Sequence, residues 1–510
     1  MKSVQRARLG IAALALAAVT VTGCASTIAG TPVLPAAMGS TAPPTSGGTP
    51  TSGGVPTTGG TVAPVGPSGI PDSEVGLKPG VPTAALSVSG DQDTQSDQLA
   101  KDTLVDVIDF YTQTFPQAFG EKFVPPQHFY SYDSQDKNAT ICKHSLYQSQ
   151  NAAYASPPCD TVVWDRGVLL PHLIDSIGIL SVPTVFAHEM GHRVQTQLKF
   201  DDSKNSVLVG EQQADCYAGA YWRWVSEGNS TYFNFNESEG MRQALNTMLA
   251  VRDPAGGDPS ADDGTGQGAH GDAFDRTYAF SLGYANGVKD CSTIDQASVD
   301  ARVSESPFHQ IPDPKNAGSL PITDQVLSDV ADTVNEYFGK TTAQYRPPTL
   351  TGYAGGSPPA CDGFTASTPV SYCPPTNTVT YDLPELQRIG TPTAGFDSYN
   401  GDFSAIVLLV SRYALAAQAA GKAPVTGDQA GLRALCYAGT WASWMRNPQG
   451  PKKLTLSPAD LDKAVYELIN SPLPASGANG AGSTAIFDRV QAFGIGVTHP
   501  IDTCFDFFSG

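Results

Sequence analysis

The chain is 510 residues long, enough for two or three domains that each have their own core. Its formal net charge is −19, from 30 Lys and Arg against 49 Asp and Glu. That balance excludes a general electrostatic attraction to nucleic acid, so no nucleic-acid partner is expected.

Lys2, Arg6 and Arg8 precede an apolar run from Leu9 to Val21, the layout of a secretory signal. The run meets Val21-Thr22-Gly23-Cys24, which resembles the lipobox of bacterial lipoproteins. Residues 1–23 are therefore expected to be a signal peptide, and Cys24 an acylated residue that anchors the chain to a membrane. Each buried acyl methylene adds roughly 0.8 kcal/mol to such an anchor. An ordinary cleaved signal in a freely secreted protein is the alternative. Residues 24–97 are rich in Thr, Gly, Pro, Ser and Ala and almost without aromatics, and are expected to form a disordered linker. No later apolar run is long and uninterrupted enough to span a bilayer; Val407 to Val410 is too short. Everything after Cys24 is thus expected outside the cytoplasm.

Beyond the linker, Val107 to Gly120 reads as a helix ending in an aromatic-rich turn, and Thr161 to Trp164 as a strand ending at Asp165. Pro183 to Leu198 has a proline suited to a first helical turn and apolar contacts at Val185, Phe186, Val194 and Leu198. Within it, His188 and His192 are four residues apart and share a face, so both imidazoles can reach one ion. Glu189 lies beside them, in reach of a metal-activated water, in the HExxH pattern. A surface helix that happens to carry two histidines is the bland alternative. The apolar Val185-Phe186-Ala187 before the motif argues against it, because unpaired polar groups there would be costly. A second helical segment, Val207 to Trp224, carries Glu211 and Asp215 four apart. Glu211 can complete a three-ligand set, and Asp215 can hold the outer nitrogen of a histidine.

Further on, Asp253, Asp258, Asp262 and Asp263 do not follow the spacing of a calcium loop and read as a surface loop. A second donor to a developing oxyanion is sought among Tyr278, Tyr284, His270 and Arg276, with Tyr278 favoured.

The remainder of the chain reads as a second version of the first. Asp215 to Trp224 parallels Leu435 to Trp444 around a shared Cys-Tyr-Ala-Gly. Phe274-Asp275-Arg276 recurs as Phe487-Asp488-Arg489, and Ala279-Phe280 as Ala492-Phe493. Thr161 to Asp165 parallels Thr378 to Asp382. The match of Arg276 to Arg489 suggests a structural salt bridge for the former. Two domains follow, 98–317 and 318–510. Eight cysteines besides Cys24 divide four to each half, an even count that in an exported protein reads as disulfides. The repeat favours Cys142–Cys159, Cys216–Cys291, Cys361–Cys373 and Cys436–Cys504, since each bond then has a counterpart. In the second half, His188 to Gln195 is replaced by Ser411 to Gln418, and Glu211 to Cys216 by Gly431 to Cys436, so both histidines and all three carboxylates are absent. That half is expected to bind no metal and to serve as scaffold, substrate surface or protein dock.

HExxH followed by a helix with ExxxD resembles the gluzincin class of zinc peptidases. The wording His188-Glu189-Met190-Gly191-His192-Arg193-Val194-Gln195, then Glu211-Gln212-Gln213-Ala214-Asp215-Cys216, is more narrowly similar to the neutral zinc metallopeptidase family. That family includes lipoproteins of mycobacteria and related actinobacteria. The resemblance spans about 105–295, with its specific core at 186–219. It implies one Zn²⁺ held by His188, His192 and Glu211, with Glu189 as general base. It implies an α+β, mainly helical zincin-like fold in the first domain, followed here by a degenerate copy. By the same resemblance, Thr161 to Trp164 forms the sheet edge above the metal. The implied activity is extracytoplasmic endoproteolysis of a peptide or protein substrate. A binding or assembly lipoprotein with vestigial activity, and a zinc amidase acting on cell-wall peptides, are the alternatives.

Overall fold

The computed structural model describes residues 70–201, 203–251, 273–299, 320–393, 399–445, 454, 456, 460–483 and 485–509. Cys24 and the signal and lipobox residues lie outside them. The fold is α+β, rich in helix with small sheets.

One expectation is corrected at the start. Residues 70–97 do not continue a disordered linker: β1 (Gly76–Leu77) pairs with β7 (Phe233–Asn234), and Ser89 bridges to Tyr130. Helix α1 (Gln95–Phe119) already begins inside the expected linker, with Thr94 as its N-cap accepting from the Asp97 amide. The segment holds few apolar side chains, so composition misreads it. It is fixed by polar contacts together with Val75, Leu86 and Val88 on the core: the Ala84 amide donates to Asp102, and Lys101 pairs with Asp91. Backbone groups satisfied in this way offset ordering entropy without a large apolar area.

The first half builds a three-stranded sheet in the order β2 (His128–Tyr132), β6 (Thr161–Asp165), β5 (Ala152–Ala155). β2 runs parallel and β5 antiparallel to β6. A second expectation is corrected here, because Thr161–Asp165 is the central strand, buried along its whole length. The edge is β5. On the far side Ser89 hydrogen-bonds to Phe129 and Ser131, so the outer edge of β2 is covered there. A small hairpin of β3 (Thr140–Ile141) and β4 (His144–Ser145) lies beside the Cys142–Cys159 disulfide. Helices α2 (Leu169–Ser176), α3 (Ser181–Leu198), α4 (Val207–Ser226), α5 (Glu239–Ala250), α6 (Ala273–Asn286) and α7 (Val288–Cys291) follow. Gly191 lets α3 approach the backbone of Ala214 on α4: a Cβ there would lie 2.9 Å from the Ala214 Cα. Gly219 and Gly283 bring α4 and α6 still closer, since a Cβ on either would collide with a carbonyl of the other helix. Cys216–Cys291 links α4 to α7.

The second half runs through comparable elements in comparable order. After α8 (Asp324–Thr341) comes a sheet ordered β8 (Thr349–Tyr353), β10 (Thr378–Asp382), β9 (Val370–Cys373), again with one parallel and one antiparallel neighbour of the central strand. Then follow α9 (Leu383–Gly390), α10 (Asp402–Ala420), α11 (Asp428–Met445), α12 (Asp460–Asn470), α13 (Ile486–Thr498) and α14 (Ile501–Phe507). Gly439 and Gly496 set the α11–α13 approach as Gly219 and Gly283 set that of α4 and α6. The disulfides Cys361–Cys373 and Cys436–Cys504 complete the four expected pairs. Among the described residues, α10 alone is long and apolar enough to cross a membrane, but 89% of that stretch is buried in the protein's own core. One apolar core runs through both halves.

Candidate metal centre

The cluster arises where α3 crosses α4. His188 and Glu189 leave one turn of α3 and His192 the next, and Glu211 leaves the second turn of α4. One ligand atom each from His188, His192 and Glu211 lies within 4.8 Å of the others, a set able to hold a metal ion. His188 Nε2 is 3.2 Å and His192 Nε2 3.5 Å from the two oxygens of the Glu211 carboxylate. His188 and Glu211 are buried, whereas His192 and Glu189 are partly open and mark the side from which the cluster is reached.

The donor set fits an ion because both outer ring nitrogens are already engaged. His188 Nδ1–H donates to Asp215 at 2.7 Å, and Asp215 is held in turn by Arg276 at 2.6 Å. Arg276 also donates to the Val251 carbonyl. Asp215 and Arg276 are fully buried, so each needs the other's charge. For His192 the polarity is fixed by a chain of bonds. The Gly210 carbonyl can only accept, so the amide nitrogen of Gln195 faces it at 2.6 Å. The amide oxygen of Gln195 therefore faces His192 Nδ1 at 2.9 Å, which makes that nitrogen the donor. Each Nε2 is thus the nitrogen that offers its lone pair to the shared site once it is free of a proton. With no ion bound, His188 is pushed up to about 10: burial works against its charge, but Asp215 and Glu211 outweigh burial.

Glu189 is oriented by the sheet. The Tyr154 amide on β5 donates to its carboxylate at 2.9 Å. Asn151 accepts from Asp165 of β6, so in this antiparallel pair residues 152 and 154 turn their backbone groups away from β6. The tyrosine is held at its other end, where its hydroxyl donates to Asp160 at 2.6 Å, with Arg193 of α3 3.7 Å from the same carboxylate. Glu189 and Arg193, one turn apart, thus both face the free edge of the sheet.

The counterpart region of the second half is filled. Ser411, Arg412 and Leu415 stand on α10, and Gly431 on α11. Arg412 is fully buried and donates to the Leu473 and Ser476 carbonyls, both at 2.9 Å. This pins the turn 473–476 over the helix crossing, where a Cβ on Gly431 would collide with the Ala475 carbonyl. Gln418 keeps half of the Gln195 arrangement, donating to the Ala430 carbonyl at 3.1 Å. Its oxygen accepts from Arg433 at 2.7 Å instead of from a histidine.

Of the residues expected at the site, His188, Glu189, His192, Glu211 and Asp215 are brought together. Tyr278 lies two residues after Arg276, roughly 200° around α6 from the side chain that reaches Asp215, and is buried. Tyr284 donates to Glu237 at 3.1 Å. His270 and the acidic stretch 252–270 fall outside the described residues. The reading of Arg276 as a salt-bridge partner is met by Asp215. Sequence reasoning missed Gln195, although its signal was in the repeat: between His188–Gln195 and Ser411–Gln418 the glutamine is the one identity. The Tyr154 amide left no such signal, because a backbone donor is not encoded by a residue type. Comparison of the chain with protein-family models, with curated proteins and with solved structures returns no match.

Proposed function

We propose that this chain is a zinc-dependent peptidase, with the ion held by His188, His192 and Glu211 and with Glu189 as general base. One observation carries the reading. Two imidazoles with fixed tautomers converge with one carboxylate, and a further carboxylate stands on the open side, oriented by a backbone amide. A cluster required only for packing has no use for that last carboxylate. Zinc bound there supplies Lewis acidity and a nucleophile at neutral pH. Glu189 takes the proton of the attacking water and returns it to the leaving amine. Asp215 and Gln195 keep the imidazole protons on the outer nitrogens throughout. An extended peptide donates to the outward carbonyls of Ala152 and Tyr154, whose amides are taken by Asn151 and Glu189, and this sets the scissile bond beside Glu189.

On this reading the first half is a zincin-like domain and the second a degenerate copy of it. The signal and Cys24 would place the protein outside the cytoplasm on a lipid anchor. The test is metal content and peptide-library cleavage of wild type beside Glu189→Gln. Both proteins should retain zinc, and the variant should lose about 10²–10⁴-fold in hydrolysis. Equal cleavage by the two would contradict the assignment of Glu189.

A further inference from the structure

Among the described residues the second half gathers no cluster like that of the first, yet it packs against the helix that steadies the first half's cluster. Helix α6 works on two sides. One side lies on α4 through Gly283 and sends Arg276 to Asp215, which holds His188. From the other, Phe274 stacks on Phe493 of α13 and Phe280 packs on Phe487, both pairs with ring centroids 6.2 Å apart; Tyr284 also meets Phe487. In the repeat, Phe274 corresponds to Phe487 and Phe280 to Phe493. The two contacts are therefore exchanged by a two-fold relation, the pattern of an isologous interface within one chain. Helix α5 is engaged in the same way. Its Asn246 exchanges two amide hydrogen bonds with Asn470 of α12, and its last residue, Ala250, accepts from the Tyr399 hydroxyl. Val251, next in the chain, accepts from Arg276.

We infer that the 320–509 half is a built-in positioning subunit for the metal centre, acting through α13 and α12 on α6 and α5, and through Arg276 and Asp215 on His188. This rests on the metal reading above. It gives the half a task that needs none of the lost ligands. Phe487 and Phe493 are positioning residues, since neither touches the site.

The experiment measures Zn²⁺ affinity of the full chain by chelator competition, and the absorption spectrum of its Co²⁺ form. Wild type is compared with Phe487→Ala, Phe487→Leu and Phe338→Ala. Phe338 is fully buried in the second half and its ring contacts are Tyr337, Tyr345 and Tyr437, all of that half. Its truncation therefore controls for general loosening. Phe487→Ala is expected to lower affinity about tenfold, in the range seen when partners of metal ligands are removed, and to alter the Co²⁺ spectrum. Phe487→Leu should recover most of the loss, and Phe338→Ala should leave affinity and spectrum unchanged. Unchanged affinity in a folded Phe487→Ala would overturn the inference, as would an equal loss in Phe338→Ala. Should Phe487→Ala fail to fold, Tyr399→Phe, which removes the hydroxyl bond to the Ala250 carbonyl, takes its place: lowered affinity with an altered Co²⁺ spectrum supports the inference, and no change in either overturns it. Failure of wild type to bind Zn²⁺ would instead refute the metal reading itself.

Discussion

The α3–α4 crossing and the α10–α11 crossing keep one glutamine bond between their helices and differ in the side chains around it. In the first, histidines and carboxylates surround a space that is reached past His192 and Glu189. In the second, Arg412 and Arg433 spend donors on backbone carbonyls, and the Leu473–Ala475 turn occupies the place that corresponds to the Glu211 side chain. The glutamine clasp between the helices survives in both. Gln195 and Gln418 each donate to the carbonyl that precedes the glutamate or its glycine replacement. Clasping the helices together and gathering the His188, His192 and Glu211 cluster are therefore separable, and the residues of the cluster are those that differ.

That contrast can be broken most severely by moving second-half residues into the first. His192→Leu, copying Leu415, removes one ligand and should abolish stoichiometric zinc retention through gel filtration. Asp215→Leu, copying Leu435, frees His188 Nδ1 and leaves Arg276 buried without its carboxylate. Chemical denaturation should show a loss of about 3–5 kcal/mol, with metal affinity down about 10–100-fold. The pH dependence of binding sharpens the picture. An ion must displace the proton that Asp215 and Glu211 stabilise on His188, whose value without metal is about 10. Affinity should then fall as pH falls, by about tenfold per unit from about pH 9 to pH 6, where one proton is released on binding. A flat profile would show that no such proton is displaced. The smallest effect separates the two clasps. Gln195→Leu and Gln418→Leu should each lower stability by about 1–3 kcal/mol, but only the former should weaken zinc binding, by about tenfold.

Much of the centre was legible in the chain because side-chain chemistry at helical spacing announces itself. His188, Glu189 and His192 on one segment and Glu211 and Asp215 on the next required only the period of a helix. The disulfides followed from the repeat, and all four are formed. What escaped depends on backbone geometry. Ala152 to Ala155 has three alanines and little alternation, so nothing marked it as the free edge beside Glu189. Residues 70–91 are held by amides, carboxylates and short strand pairings rather than by an apolar pattern. Tyr278 gains no support from its neighbour, because a helix turns about 100° per residue and nearness in sequence to Arg276 gives no shared face.

The most direct measurement is X-ray absorption at the zinc edge of the full chain, loaded with metal and freed of excess. The account predicts one ion per chain, with two imidazoles and oxygen ligands at about 2.0–2.2 Å, and loss of one imidazole in any residual signal of His192→Leu. Two ions per chain, a sulfur shell, or an imidazole signature indifferent to that substitution would contradict it.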